Sequence, residues 1–191
     1  MKKVFYLFAS LILLSLPAKA ALISLIPSDS DVFTGEYFDV AVQITDLQPG
    51  EVVTLFDISV VFDPAAIMLT GGIFGSGLGG VSDSSQDNTG NNFYEFSFLD
   101  DVSLTQLQSS PFTLFTLNFQ ALVPSSATVI GIEINPVGLL NYAQEDIAAE
   151  IAVATISIEQ RAQTVSAPSS MPLLLLALSG LLGRRRTRSR R

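Results

Sequence analysis

The sequence predicts an all-β domain, an antiparallel sandwich, and three observations predict it. Short runs alternate apolar and polar residues with period two, clusters of Pro, Gly, Asn, Asp and Ser separate them, and no long central stretch has helical spacing. Strands this short, with so few helices between them, bury one face only by laying one sheet on another. Residues 21–164 suffice for one sizeable core and are too few for two comfortable domains.

Leu22 to Ile26 makes the first strand, closed by Pro27-Ser28-Asp29. In the second, Phe38, Val40, Val42 and Ile44 share one face, with Asp39, Gln43 and Thr45 opposite. Gln48-Pro49-Gly50 turns the chain into the third, where Phe56, Ile58, Val60 and Phe62 oppose Asp57, Ser59 and Asp63. Asp63-Pro64 ends it, since proline has no N–H for the ladder and aspartate readily caps a turn. Then come Tyr94, Phe96 and Phe98 against Glu95 and Ser97; Phe115, Leu117 and Phe119; Ile130, Ile132 and Ile134; and Ala154, Ile156 and Ile158. Pro124-Ser125-Ser126 and Asn135-Pro136 supply further turn signals, and Asn141 to Ala149 has room for one or two helical turns. Between the third and fourth strands, Gly71 to Asn92 holds seven glycines, which predicts a mobile 22-residue loop.

The two ends differ in kind from this centre. Lys2 and Lys3, the apolar run Val4 to Leu16 and the small-x-small pattern Pro17-Ala18-Lys19-Ala20 have the form of a secretory signal, with cleavage after Ala20. A retained N-terminal anchor would need a longer apolar run. At the other end an apolar run from Met171 to Gly183 is followed by six arginines between Arg184 and Arg191. Thirteen residues fall short of the roughly 20 that a bilayer-spanning helix needs.

Nine of the ten Lys and Arg lie in those ends, so Arg161 stands alone against all 18 acids and residues 21–166 carry −17. A field of that sign repels nucleic acid and anionic membrane surfaces, and a saline or calcium-rich exterior would screen it. Cysteine is absent, so the domain holds together by burial alone.

Two stretches carry family resemblances. Gly35-Glu36-Tyr37-Phe38-Asp39-Val40, then Leu55-Phe56-Asp57-Ile58-Ser59-Val60-Val61-Phe62-Asp63-Pro64, with Phe112 to Ala121 as a later core strand, resembles a cohesin domain. That resemblance implies a nine-strand jelly-roll sandwich related to carbohydrate-binding modules. Val165-Ser166-Ala167-Pro168-Ser169, the apolar run and the arginines together resemble a PEP-CTERM sorting tail over residues 165–191, with Ala167-Pro168-Ser169 where the signature has Pro-Glu-Pro. The second resemblance implies an exosortase-type enzyme in a Gram-negative bacterium, cutting near Ala167 to Ser169 after signal peptidase has acted between Ala18-Lys19-Ala20 and Ala21.

Missing residue types narrow the chemistry. With no histidine or cysteine, Ser-His-Asp and Cys-His catalysis and the usual zinc sites are excluded. Gly75-Ser76-Gly77-Leu78-Gly79-Gly80 lacks the lysine and the strand-to-helix setting of a phosphate loop. Tryptophan is absent as a sugar platform, and carboxylate pairs among 18 acids arise by chance, so no enzyme is expected. Asp83, Asp87, Asn88 and Asn91 are the candidate calcium ligands, on the premise that a flexible loop wraps the ion. Asp29-Ser30-Asp31, Asp100-Asp101 and Glu145-Asp146 are further oxygen-rich clusters that could bind calcium, with solvated turn residues as the plainer reading of each.

The expectation is an exported, non-enzymatic binding protein of the cell surface or extracellular matrix, with a polysaccharide or another surface protein as partner. A carbohydrate-binding module acting on exopolysaccharide and a permanently anchored envelope protein are the alternatives.

Overall fold

The computed structural model describes residues 20–109 and 111–161. Ala18 of the signal-cleavage pattern, the sorting motif Val165 to Ser169 and both terminal apolar runs lie outside the described residues. Among the described residues no helix is long and apolar enough to cross a membrane.

Among the described residues eleven strands form two sheets. One has the order β10 (Ala149–Ala152), β1 (Ala21–Pro27), β3 (Tyr37–Thr45), β8 (Phe112–Ala121), β5 (Ile67–Phe74). The other runs β2 (Asp31–Phe33), β11 (Ala154–Glu159), β9 (Ser125–Asn141), β4 (Val53–Phe62), β7 (Asn92–Ser97), β6 (Ser84–Thr89). The nine strands expected become eleven because two short segments, β2 and β10, add themselves to sheet edges. Both pair in parallel, β10 with β1 and β2 with β11, and every other described pairing is antiparallel.

The period-two pattern predicts the inner faces wherever one parity is clearly apolar. Phe38, Val40, Val42 and Ile44 are buried on β3, Phe56, Ile58 and Val60 on β4, and Ala154, Ile156 and Ile158 on β11. On β8 a register shift opposite Val42 and Gln43 turns two successive residues, Leu114 and Phe115, into the core. The sheets meet on phenylalanine: the Phe93 and Phe115 rings stack with centroids 4.5 Å apart and planes 2° off parallel, with Phe56 and Phe74 against the pair. Phe38 and Phe62 close on Phe119 farther along.

Asp63-Pro64 acts as read. The Asp63 carboxylate accepts the Ala65 N–H at 2.9 Å and its carbonyl accepts those of Ala66 and Ile67, turning the chain from β4 into β5.

Three expectations are corrected. On β7 the buried residues are Phe93, Glu95 and Ser97, while Tyr94 and Phe96 face outward and Phe98 is 64% exposed. Both parities of Asn92 to Phe98 carry aromatics, and stacking on Phe115 selects the one holding Phe93.

The Gly71–Asn92 stretch is not one mobile loop. Gly71 to Phe74 continue β5, Ser84 to Thr89 form β6, and only Gly75–Asp83 and a tight turn at Gly90 are unpaired. Its glycines answer crowding: a Cβ on Gly75 would run into the Thr113 carbonyl oxygen, and one on Gly77 into the Phe112 ring.

The helical turn sits elsewhere too. Asn141 to Ala149 forms a turn closed by a Leu140–Asp146 bridge and then β10, whereas α1 covers Asp101–Leu107. Asp100 caps α1 through the Ser103 N–H at 2.8 Å, and Leu104 is its one buried side chain, too little apolar periodicity to read in advance. Just past α1, buried Gln108 accepts the Val53 N–H at 2.8 Å and donates to the carbonyls of Val53 and Gly77, at 2.6 and 3.1 Å. One amide thus ties the glycine segment to the start of β4.

A linker would tolerate alanine at either of two glycines, and this segment should not. Gly75→Ala should lower unfolding free energy by about 1–3 kcal/mol, the usual cost of forcing volume into a packed site. Gly80→Ala, whose Cβ would stand 3.8 Å from the Asp83 carboxylate, should change it by less than about 0.5 kcal/mol. Denaturant melts of the two variants check this; equal effects would restore the linker reading.

Candidate binding cleft

Strand geometry does not gather the four candidate calcium ligands. Asp83 precedes β6, where its backbone carbonyl accepts the Phe98 N–H, while Asn91 follows the turn at the far end of the β6–β7 hairpin. Four residues of extended chain put Asp87 roughly 13 Å from Asp83, several times a metal–oxygen bond. Each of three side chains also serves a local contact: Asp83 receives the Gly80 N–H at 3.4 Å, Asp87 the Thr89 hydroxyl at 2.9 Å, and Asn91 donates to the Val60 carbonyl at 2.8 Å. Asn88 is on β6 opposite Phe93. Among the described residues no three His, Cys, Asp or Glu stand close enough to share a metal ion.

Glu95, which the period-two alternation puts on the outer face, points into the sandwich instead. It is 1% exposed, and one of its carboxylate oxygens accepts the Ser84 hydroxyl at 2.7 Å and the Gln86 amide at 2.8 Å. Burial raises its pKa above the ordinary carboxylate range, and hydrogen bonds from Gln86 and Ser84 oppose that rise. Ser97, also turned in, donates to the Leu78 carbonyl at 2.7 Å. Polar residues are tolerated on this inner face because each has a partner.

Seating Phe93 inward leaves an aromatic row outward, and the row ends in a cleft. The cleft encloses about 390 Å³ and is lined by Thr54, Phe96, Ser97, Phe98, Leu99, Tyr142 and Gln144. Three segments build it: the end of β7 with the two residues after it, the start of β4, and the turn after β9. Phe96 meets Phe98 edge to face, with centroids 5.6 Å apart and planes at 83°, so the outer ring is braced. Tyr142 is 57% exposed.

The turn after β9 is fixed on both sides. The Asn141 side-chain oxygen accepts the Glu145 N–H at 3.0 Å, and the Gln144 N–H reaches the Asn141 carbonyl at 3.0 Å. Gln144 itself sits at φ 62°, the left-handed region, where a non-glycine residue costs on the order of 1–3 kcal/mol. At the floor the hydroxyls are committed: Thr54 donates to the Asn141 carbonyl at 2.8 Å, and Ser97 is occupied by Leu78.

The rim is acidic. Asp100 and Asp101 follow Leu99 along the chain, Glu145 and Asp146 follow Gln144, and all four are exposed. Hydrogen bonds from Ser103, through its side chain and its backbone N–H, hold the Asp100 carboxyl below the ordinary range, so its charge persists into acid. A second, more apolar hollow of about 330 Å³ lies at the other end of the β6–β7 hairpin, lined by Phe62, Met68, Leu69, Asn91, Leu122 and neighbours.

Comparison with known proteins gives a consistent answer for the architecture. A cohesin module from a family 33 glycoside hydrolase of Clostridium perfringens superposes with a TM-score of 0.56 at 11% identity, covering 75% of this chain and 100% of the module. The fold is cohesin-like. A type II cohesin domain from the cellulosome of Acetivibrio cellulolyticus matches the cohesin-like domain with a TM-score of 0.54 at 17% identity, over 72% of this chain and 95% of its own. A type I cohesin–dockerin complex from Clostridium thermocellum supplies a match of 0.56 at 13% identity, over 76% and 99%. No family model and no curated protein matches the sequence.

Glu95 makes a stability prediction with a defined sign. Its raised pKa means the folded state favours the protonated acid. The stabilisation is therefore complete below the unfolded-state pKa and is lost as pH rises through the folded one. Glu95→Gln keeps an acceptor for Ser84 and Gln86 and removes the charge. It should melt above the parent at neutral pH, with the gap closing on acidification; a gap that widens toward acid would show that the fold prefers the carboxylate.

Proposed function

We propose that the chain is an exported, non-enzymatic binding protein whose cohesin-like sandwich holds a protein partner at the cell surface or in the extracellular matrix. One observation carries the reading: a sheet whose core takes Phe93 turns half-buried Phe96 outward and leaves Phe98 exposed, braced against each other beside a cleft. Aromatic side chains held rigid at a surface bring large contact area at small entropic cost, as protein-binding sites do. The cohesin of the Clostridium thermocellum structure is itself in complex with a dockerin, which supports protein binding as the use of this fold.

Export rests on the signal-like residues 1–20, and sorting on the resemblance of residues 165–191 to an exosortase substrate. In that scheme the tail is a transient inner-membrane intermediate and the sandwich is the product delivered. Tyr94 outward on β7, in line with Phe96 and Phe98, favours a second reading, stacking on a polysaccharide.

Two measurements test these readings. Host envelope and matrix proteins should be retained on the immobilised protein at least about tenfold better than on Phe96→Ala/Phe98→Ala, the scale of losing an aromatic anchor pair. Retention of protease-treated polysaccharide in their place would shift the function to carbohydrate binding. The intact mass of protein recovered from the host should run from Ala21 to about Ala167; a chain reaching Arg191 and confined to membranes would make the tail an anchor.

A further inference from the structure

We infer that the Phe98–Tyr142 cleft receives an arginine or lysine side chain from a basic segment of the partner, an assignment that rests on the protein-binding reading above. The walls supply what a cation seeks. Phe98 and Tyr142 are 64% and 57% exposed, so their ring faces are open to a guest, and Phe96 buttresses the first of them. A guanidinium or ammonium within about 6 Å of such a face is attracted by its quadrupole.

Charge complementarity selects among guests. Asp100 and Asp101 follow the lining residue Leu99 in sequence and Glu145 and Asp146 follow Gln144, within a segment that carries 18 acids and one basic residue, Arg161. Such a field draws in basic chains and rejects anionic polymers before contact. A neutral sugar gains nothing from it. Stacked on the same rings, the sugar would also meet floor hydroxyls already donated to the Asn141 and Leu78 carbonyls, leaving the Tyr142 hydroxyl and the Gln144 amide as the donors for its own hydroxyls. About 390 Å³ lies in the range of ~300–1,000 Å³ of ordinary ligand pockets and holds one long side chain with room for its neighbours.

Titration of the full chain with tetra-arginine, tetra-alanine and maltotetraose, followed calorimetrically at about 0.1 M salt and again at about 1 M, tests this. Tetra-arginine should bind, tetra-alanine and maltotetraose should not, and the affinity should fall with salt. Phe98→Ala/Tyr142→Ala should lose about tenfold, the worth of a cation–π pair, with an unchanged thermal midpoint. Phe98→Leu, which keeps apolar bulk without a π face, should lose several-fold, whereas Glu133→Gln/Glu150→Gln, neutralising exposed acids on β9 and β10, should stay within about twofold. Equal affinity for the parent and Phe98→Ala/Tyr142→Ala would overturn the cleft as the site, and binding of maltotetraose that depends on Phe98 would overturn the cation. If tetra-arginine fails while host proteins remain retained through Phe96 and Phe98, the cation assignment alone falls. If both fail, the protein-binding reading falls with it.

Discussion

The stacked Phe93–Phe115 pair is the contact on which the functional surface depends. Strand β7 carries aromatics on both parities, and an interface only one side chain deep can accept one of them. With Phe93 seated on Phe115 and flanked by Phe56 and Phe74, each neighbour along β7 has its direction assigned. Glu95 and Ser97 go inward and need partners, which Ser84, Gln86 and Leu78 provide, while Tyr94, Phe96 and Phe98 go outward. Core packing and surface chemistry are thus two consequences of one register.

The glycine-rich segment gives that register its cover. Leu78 closes over Ser97, and Gln108 holds the Gly77 carbonyl while pairing with Val53, so the segment is pinned from β7 and from β4 together. Glycine serves here mostly by leaving room for the Thr113 backbone and the Phe112 ring. Between Gly75 and Asp83 only Gly79, at φ 109°, also uses its conformational freedom, where a Cβ would stand 2.7 Å from that of Asp83. Without disulfides, close approach of this kind is how a long connection becomes part of the core.

Charge and aromaticity then divide the work at the surface. The acid excess acts over a Debye length and favours basic partners in general, whereas the braced rings act only at contact. The turn after β9 brings Tyr142 and the strained Gln144 into the cleft that Phe98 lines, and the acids next to them in sequence follow by connectivity.

Period-two alternation, turn chemistry and the absence of histidine and cysteine were legible in the chain itself. They determine an all-β sandwich and the inner faces of β3, β4, β8, β9 and β11, where one parity is plainly apolar. They also determine the acidity of the centre, the exclusion of His- and Cys-based catalysis, and the turn at Asp63-Pro64. Long-range contacts decided the remainder: which face of β7 is buried, that glycines at 72, 75 and 77 are packing positions, that α1 forms around Leu104, and that Phe98 and Tyr142 line one cleft. The division has a physical basis. Alternation reports burial only when the two faces of a strand differ, and a glycine reads the same whether it bends the chain or lets another chain segment approach.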